Sequence, residues 1–168
     1  MTKITIRSAT LNDLDAITEI YNQAILNTTA TFDTTPKTLE EQKTWFSRHG
    51  PQHPVLVARE DGPVIGWAAL SEWSNRCAYS GTAEISFYVH EDCQGRGIGR
   101  KLAEATVCAG RDTGLHTLIA RIAQGNEASV HIAESLGFNH IGVMKEVGQK
   151  FGKLLDVYLM QKIYDTPS

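Results

Sequence analysis

Cysteine is scarce: three among 168 residues, Cys77, Cys93 and Cys108, an odd set with no Cys-x-x-Cys spacing. Neither a disulfide framework nor a zinc knuckle is expected from it. Long apolar runs are missing, since the longest span only a few residues against the roughly 18 that a membrane helix needs. Residues 1–6 lack the apolar stretch of a signal peptide, so a cytoplasmic protein is expected. Positive charge is not in excess either. Sixteen Lys plus Arg stand against nineteen Asp plus Glu, a formal net charge of −3. That excludes a general field for nucleic acid or anionic lipid and leaves any anionic ligand to be held locally. His49 and His53 have helical spacing, but Pro51 lies between them and no His-Glu-x-x-His occurs, so no metal site is expected.

The remainder has the balance of a soluble globular chain, 42 % hydrophobic with 14 glycines spread along it, and residues 1–168 are read as one domain. Ile4 and Ile6 alternate with polar neighbours as a short strand. Thr10 with Asp13 and Thr38 with Glu41 give capping-box patterns for a helix through Ile25 and a shorter one after Thr38. Residues 55–58 and 64–70 flank Asp61-Gly62-Pro63 and predict an antiparallel hairpin. Residues 82–90 alternate strictly, so Glu84, Ser86 and Tyr88 share one face and Ile85, Phe87 and Val89 the other. A helix entered over Lys101-Leu102-Ala103-Glu104-Ala105, a strand over 115–123, a helix over 127–136 closed by Gly137, and strands around 141–143 and 154–161 complete the order. This is an α+β pattern with one mixed sheet and helices on both faces.

Gln94-Gly95-Arg96-Gly97-Ile98-Gly99 is the most informative segment. Backbone N–H groups without intervening Cβ atoms can converge on a phosphate at a helix N-terminus, where the dipole also favours negative charge. Arg96, Arg100 and Lys101 add cations. The spacing is neither that of a dinucleotide fold nor of a Walker loop. An ordinary tight connection would read the same way. Glu84 is similarly two-sided: a carboxylate on a largely apolar strand is costly unless it has a function or a salt-bridge partner.

With these residues in view, the chain resembles the GNAT N-acetyltransferase superfamily. The glycine segment matches that family's pyrophosphate loop after the fourth strand, and Ile6-Arg7-Ser8-Ala9, Asn126 and Leu136-Gly137-Phe138 extend the likeness over nearly the whole chain. Within it the chain is similar to the phosphinothricin and methionine sulfoximine acetyltransferases, through Ile20-Tyr21-Asn22, Trp73, Arg76 with Ala78-Tyr79, Thr82 with Glu84, and the run 147–152 with Asp156. The resemblance implies a mostly antiparallel twisted sheet of about seven strands, splayed between the fourth and fifth, with about four helices. It implies acetyl-CoA as co-substrate, its pyrophosphate on Gly95, Arg96, Gly97, Ile98, Gly99 and Arg100. Its pantetheine would pair like a strand with Phe87, Tyr88 and Val89 and be held by Asn126 and Ser129, and Val89 N–H would face the oxygen that gains charge.

Glu84 would accept the amine's proton, directly or through water. Amine recognition would fall on Asn22, Phe32, Trp73, Arg76, Cys77, Ala78 and Tyr79, with Arg76 pairing a carboxylate. Two departures stand out. The position where many relatives carry a Tyr or His general acid is Ala133, with His131 on another side of the helix and Tyr88 as a substitute; Phe151 and Leu155 replace two histidines of the phosphinothricin branch. The implied activity is acetyl transfer to the α-amine of a small amino acid analogue, by a homodimer. The rivals are another amine, a protein N-terminus or a polyamine, and a non-catalytic acetyl-CoA sensor.

Overall fold

Turn chemistry and alternation place the chain in seven strands and four α-helices, seen in a computed structural model that describes residues 3–165. The strands are β1 (Ile4–Ser8), β2 (Val55–Glu60), β3 (Val64–Glu72), β4 (Thr82–Val89), β5 (Thr117–Ala123), β6 (Asn139–Lys150) and β7 (Lys153–Ile163). The helices are α1 (Leu14–Asn27), α2 (Leu39–Ser47), α3 (Ile98–Asp112) and α4 (Glu127–Ser135). Met1 and Thr2, part of the amino-terminal stretch read above for a signal segment, lie outside the described residues. No helix among the described residues is long and apolar enough to cross a membrane.

One sheet runs in the order β1-β2-β3-β4-β5-β7-β6, and every neighbouring pair is antiparallel except β4 with β5. Leu14, Ile17 and Ile20 of α1 cover one face, against Val55, Val57, Trp67 and Ala69. Ile98 and Leu102 of α3 cover the other, against Ala58, Ile65 and Ala68. The largest core joins α3, α4 and β5 through Val107, Leu118, Ala133, Phe138 and Met160. Both capping patterns hold: Glu41 accepts from Thr38 N–H at 2.8 Å, and Asp13 accepts from Thr10 N–H at 2.8 Å and from Arg7 at 2.7 and 2.9 Å. Arg7 and that backbone bond together hold Asp13 below its ordinary carboxyl pKa.

β6 departs from expectation: it runs to Lys150 rather than a few residues around Gly142. Register shifts between His140 and Gly142 and between Met144 and Gly148, with Glu146 in the left-handed region, break the alternation that would reveal a continuous strand. Phe151 and Gly152, both at positive φ, close the β6–β7 hairpin.

The sheet opens at one place. β4 pairs with β3 along seven positions, from Gly66↔Val89 to Glu72↔Ala83, but with β5 at only three, ending at Glu84↔Ile119. Beyond Glu84 both strands continue without pairing, which leaves the β5-facing edge of residues 85–89 without a ladder partner among the described residues.

Candidate active site

The alternation of β4 decides what faces this opening. Glu84, Ser86 and Tyr88 stand beside Ser71, Ala69 and Trp67 of β3 in register, on the face covered by α1 and α2. Phe87 and Val89 point to the α3 side, where the start of α3 around Ile98 and Gly99 packs against them. A cleft of about 490 Å³ runs through the splay, and Phe32, Glu84, Phe87, Tyr88, Asn126 and Ser129 line it.

Glu84 is tied to a residue that local sequence pattern did not single out. Arg121 donates to both of its oxygens, Nη2 at 2.7 Å and Nε at 2.5 Å, with the carboxylate 19 % and the guanidinium 50 % exposed. The bond to Glu84 raises Arg121 further above the usual guanidinium value. The guanidinium also lies over the Trp73 ring at 5.5 Å. The salt-bridged alternative for Glu84 is therefore part of the structure, with the partner on β5. A lone charge in the run Leu118-Ile119-Ala120-Arg121-Ile122 was the available signal.

Opposite Glu84, the segment after α1 forms the other wall. Tyr21 hydroxyl donates to Asp33 and lies 2.9 Å from Thr31 Oγ1. Buried Lys150 donates to Thr31 carbonyl at 2.8 Å, and burial lowers its pKa. Phe32 packs on Gly148. Desolvation raises Tyr21 strongly and pushes Tyr88 up to about 12, so both keep their hydroxyl protons at neutral pH.

The glycine segment lies at the end of β4. Gly95 and Gly97 have φ of 77° and 79°, and a Cβ on either would meet nothing within 4 Å, so these glycines serve backbone conformation rather than space. Gly97 is the N-cap of the 15-residue α3. Arg96 is engaged elsewhere, bidentate on Glu60 with one bond at 3.0 Å, so of the three cations read beside the loop its side chain is spent within the protein. Asn126 Oδ1 caps α4 by accepting from Ser129 N–H at 3.3 Å. Ala133 is buried and lines the cleft, whereas His131 is exposed.

The remaining residues read for amine recognition lie outside this cleft. Asn22 uses its side chain on the Lys37 backbone, at 3.0 and 2.8 Å, pinning the segment before α2. Arg76, Cys77, Ala78 and Tyr79 are exposed on the turn before β4, and Trp73 reaches the site through Arg121. Leu155 is buried and Phe151 exposed at the hairpin turn. The described residues contain no cluster of His, Cys, Asp and Glu able to hold a metal.

Known proteins share this architecture. The acetyltransferase (GNAT) domain matches residues 6–159. The L-methionine sulfoximine/L-methionine sulfone acetyltransferase of Pseudomonas aeruginosa is 42 % identical over 158 residues, 93 % of this chain and 92 % of that one. The phosphinothricin N-acetyltransferase of Streptomyces coelicolor is 36 % identical over 159 residues, 92 % and 93 % of the two chains. A GNAT superfamily phosphinothricin acetyltransferase from Sinorhizobium meliloti, solved in complex with AcCoA, superposes with a TM-score of 0.92 at 37 % identity, covering 95 % of this chain and 88 % of that one. With an open β4 edge, a glycine turn into α3 and a capped α4 in a fold shared with these enzymes, the chain belongs to the GNAT acetyltransferase family and is an acetyl-CoA-dependent acetyltransferase.

Proposed function

We propose that the protein acetylates the α-amine of a small amino acid analogue, the class of methionine sulfoximine, methionine sulfone and phosphinothricin, by direct attack in a ternary complex. The observation that carries this reading is the carboxylate of Glu84 at the last paired position of β4, where the sheet divides. The relatives that are 36–42 % identical over most of the chain supply the substrate class.

The residues fit acetyl-CoA. The open edge of residues 85–89 offers backbone groups to a pantetheine amide, and the N–H groups from Gly95 to Arg100 at the start of α3 suit a diphosphate. Asn126 and Ser129 stand where the pantetheine would pass. When bound, the thioester supplies an activated acetyl group.

The chain's own residues handle the proton. A free α-amine titrates at about 7.7–8.0 in water, so it arrives largely protonated at neutral pH and must lose a proton to attack. A carboxylate has about four lone-pair sites, and Arg121 takes two of those on Glu84. The others can accept from the amine or an intervening water, while Arg121 fixes the orientation. Ala133 offers no acid; the half-buried Tyr88 hydroxyl keeps its proton and can donate a hydrogen bond, and a thiol of pKa about 8.5 leaves tolerably unaided.

Glu84→Gln keeps the shape and removes the basicity. It should lower kcat/KM by about 10²–10⁴-fold while acetyl-CoA Kd by calorimetry stays unchanged. Wild-type kcat/KM across pH in that variant would remove Glu84 from the mechanism. CoA release measured across methionine sulfone, methionine sulfoximine, phosphinothricin, ordinary amino acids and a polyamine separates this reading from its rivals.

The same reading includes a homodimer. The β6–β7 arm exposes Ile141, Val143, Val147, Phe151 and Leu154 along a sheet edge, a surface suited to a second copy. Sedimentation should give twice the chain mass; a single chain mass rejects the dimer.

A further inference from the structure

We propose that a row of hydroxyls, Tyr88, Thr31 and Tyr21, leads from the cleft to the carboxylate of Asp33 and carries off the second of the two protons that the amine gives up in each transfer. The proposal rests on the transfer reading above and adds Asp33 to that site as the last acceptor.

An ammonium nitrogen carries three protons and a secondary amide nitrogen one, so two leave it per transfer. Glu84 takes the first. Its carboxylate, with Arg121 on both oxygens, has no place for another, and the second proton needs a different group.

Tyr21, Thr31, Asp33 and Tyr88 all line the cleft. Tyr88 shares the strand face of Glu84 with Ser86 between them, so an amine seated beside Glu84 can meet the Tyr88 hydroxyl on its other side. The Tyr21 and Tyr88 rings meet edge to face, with centroids 5.2 Å apart. Tyr21 hydroxyl donates to Asp33 and lies 2.9 Å from Thr31 Oγ1, and the Thr31 side chain is also a hydrogen-bond partner of the Tyr88 hydroxyl.

Each hydroxyl has one proton to give and a carboxylate none, which fixes the direction. Tyr21 gives its proton to Asp33, so the proton between Tyr21 and Thr31 belongs to Thr31. Thr31 Oγ1 accepts the Asp33 N–H at 3.2 Å, and its remaining lone pair can only accept, which assigns to it the Tyr88 proton. Every proton in the row therefore points toward Asp33, and the Tyr88 oxygen keeps a lone pair for the amine. Buried Lys150 holds the row in place through the Thr31 carbonyl at 2.8 Å. The far end meets water: the Asp33 side chain is 41 % exposed, with Lys37 Nζ 3.8 Å from its Oδ1.

In the transfer, a proton from the nitrogen joins the Tyr88 oxygen as Tyr88's own passes to Thr31, that of Thr31 to Tyr21 and that of Tyr21 to Asp33. One N–H bond breaks with its electron pair left on nitrogen, one carboxyl O–H forms, and each hydroxyl ends with a single proton. Asp33 then hands the proton to water.

Two measurements test this. In ligand-free wild type, ¹H NMR should show the Tyr21 hydroxyl proton downfield, identified by its loss in Tyr21→Phe. It should move upfield in Asp33→Asn and, because the row is continuous, also in Tyr88→Phe. An absent signal, or one that ignores Tyr88→Phe, overturns the row. During turnover of methionine sulfone, kcat in mixtures of H₂O and D₂O should bow downward in wild type, since several protons move together, and turn linear in Asp33→Asn and Tyr21→Phe. In each variant kcat/KM should fall about 10²-fold, and no further in the double variant. Thr31→Val keeps the carbonyl bond to Lys150, should behave alike, and takes the place of Tyr21→Phe if that variant does not fold. A straight plot in wild type, or losses that multiply in the double variant, overturns the row while CoA release leaves the transfer reading intact. CoA release from no amine overturns the transfer reading, and the role of the row with it.

Discussion

Gly148→Ala should loosen the wall of the cleft from a position that touches neither Glu84 nor the glycine turn. A Cβ there would stand 2.1, 2.5 and 2.8 Å from three atoms of the Phe32 ring, closer than any real contact, so the ring has to leave. Gly148 is outside the left-handed region, so Ala meets no backbone strain and even gains about 0.4–1 kcal/mol by restricting the unfolded chain. Against that gain stands Phe32, 36 % exposed. Full burial of a Phe is worth about 1.5–3 kcal/mol, so expelling this ring costs about 1–2 kcal/mol. Thr31 sits next to it, and disturbance of the Lys150 bond to the Thr31 carbonyl adds about 1 kcal/mol. The net loss of about 1–2 kcal/mol lowers Tm by about 2–8 °C at this chain length. Because Phe32 lines the cleft, KM for the amine should rise more than KM for acetyl-CoA. In a Phe32→Ala background the same substitution should cost nothing, a coupling of about 1–2 kcal/mol in a double-mutant cycle. Equal Tm losses with and without the ring would refute the reasoning.

Two further outcomes follow from the loop and from the first turn. Gly97→Ala meets no steric contact, so its effect is the cost of left-handed backbone with a Cβ, about 1–2 kcal/mol, and acetyl-CoA Kd by calorimetry should rise about tenfold; an unchanged Kd separates the turn from cofactor binding. Asp13→Asn removes a carboxylate held by Arg7 and the Thr10 N–H, at about 1–2 kcal/mol given the part-exposed Arg7. The folded pKa of Asp13 is depressed, so its contribution is present above the ordinary carboxyl range and is lost as pH falls through the folded value. The difference in urea midpoint between wild type and variant should be full at neutral pH and close below about pH 4; a gap that persists in acid contradicts the pairing.

Much of this was legible because it depends on local rules. Alternation alone put Glu84, Ser86 and Tyr88 on one face, and the glycine spacing announced a turn into α3. What stayed hidden depends on pairing across the chain. Arg96 meets Glu60 36 residues away, and only the β2–β3 hairpin and the start of α3 together bring them close. Register sets Ser71 beside Glu84 and Trp67 beside Tyr88, and no local pattern fixes register between strands joined by a nine-residue turn. The full length of β6 is hidden because its bulges erase period two. Gln42 and Arg121 are instructive in another way. Each is a polar residue at a position where local pattern asks for an apolar one, the same signal that singled out Glu84.

The fork between β4 and β5 explains why that signal gathers there. Three parallel pairs hold the strands together, and the last joins Glu84 to Ile119. Past it the ladder stops, yet Arg121, two residues further along β5, reaches back to Glu84 and ties the strands across the widening gap. The ion pair thus replaces part of the cohesion the ladder gives up, while the unpaired backbone of β4 stays available to a ligand. Glu84 consequently serves two ends that different substitutions separate. Gln keeps one oxygen for Arg121 but loses the charge and turns an NH2 toward the second guanidinium donor, so a modest fall in Tm accompanies it. Proton transfer is reported by a fall in kcat/KM whose pH dependence flattens. Ala releases Arg121 as well, so an additional fall in Tm reports the tie across the fork.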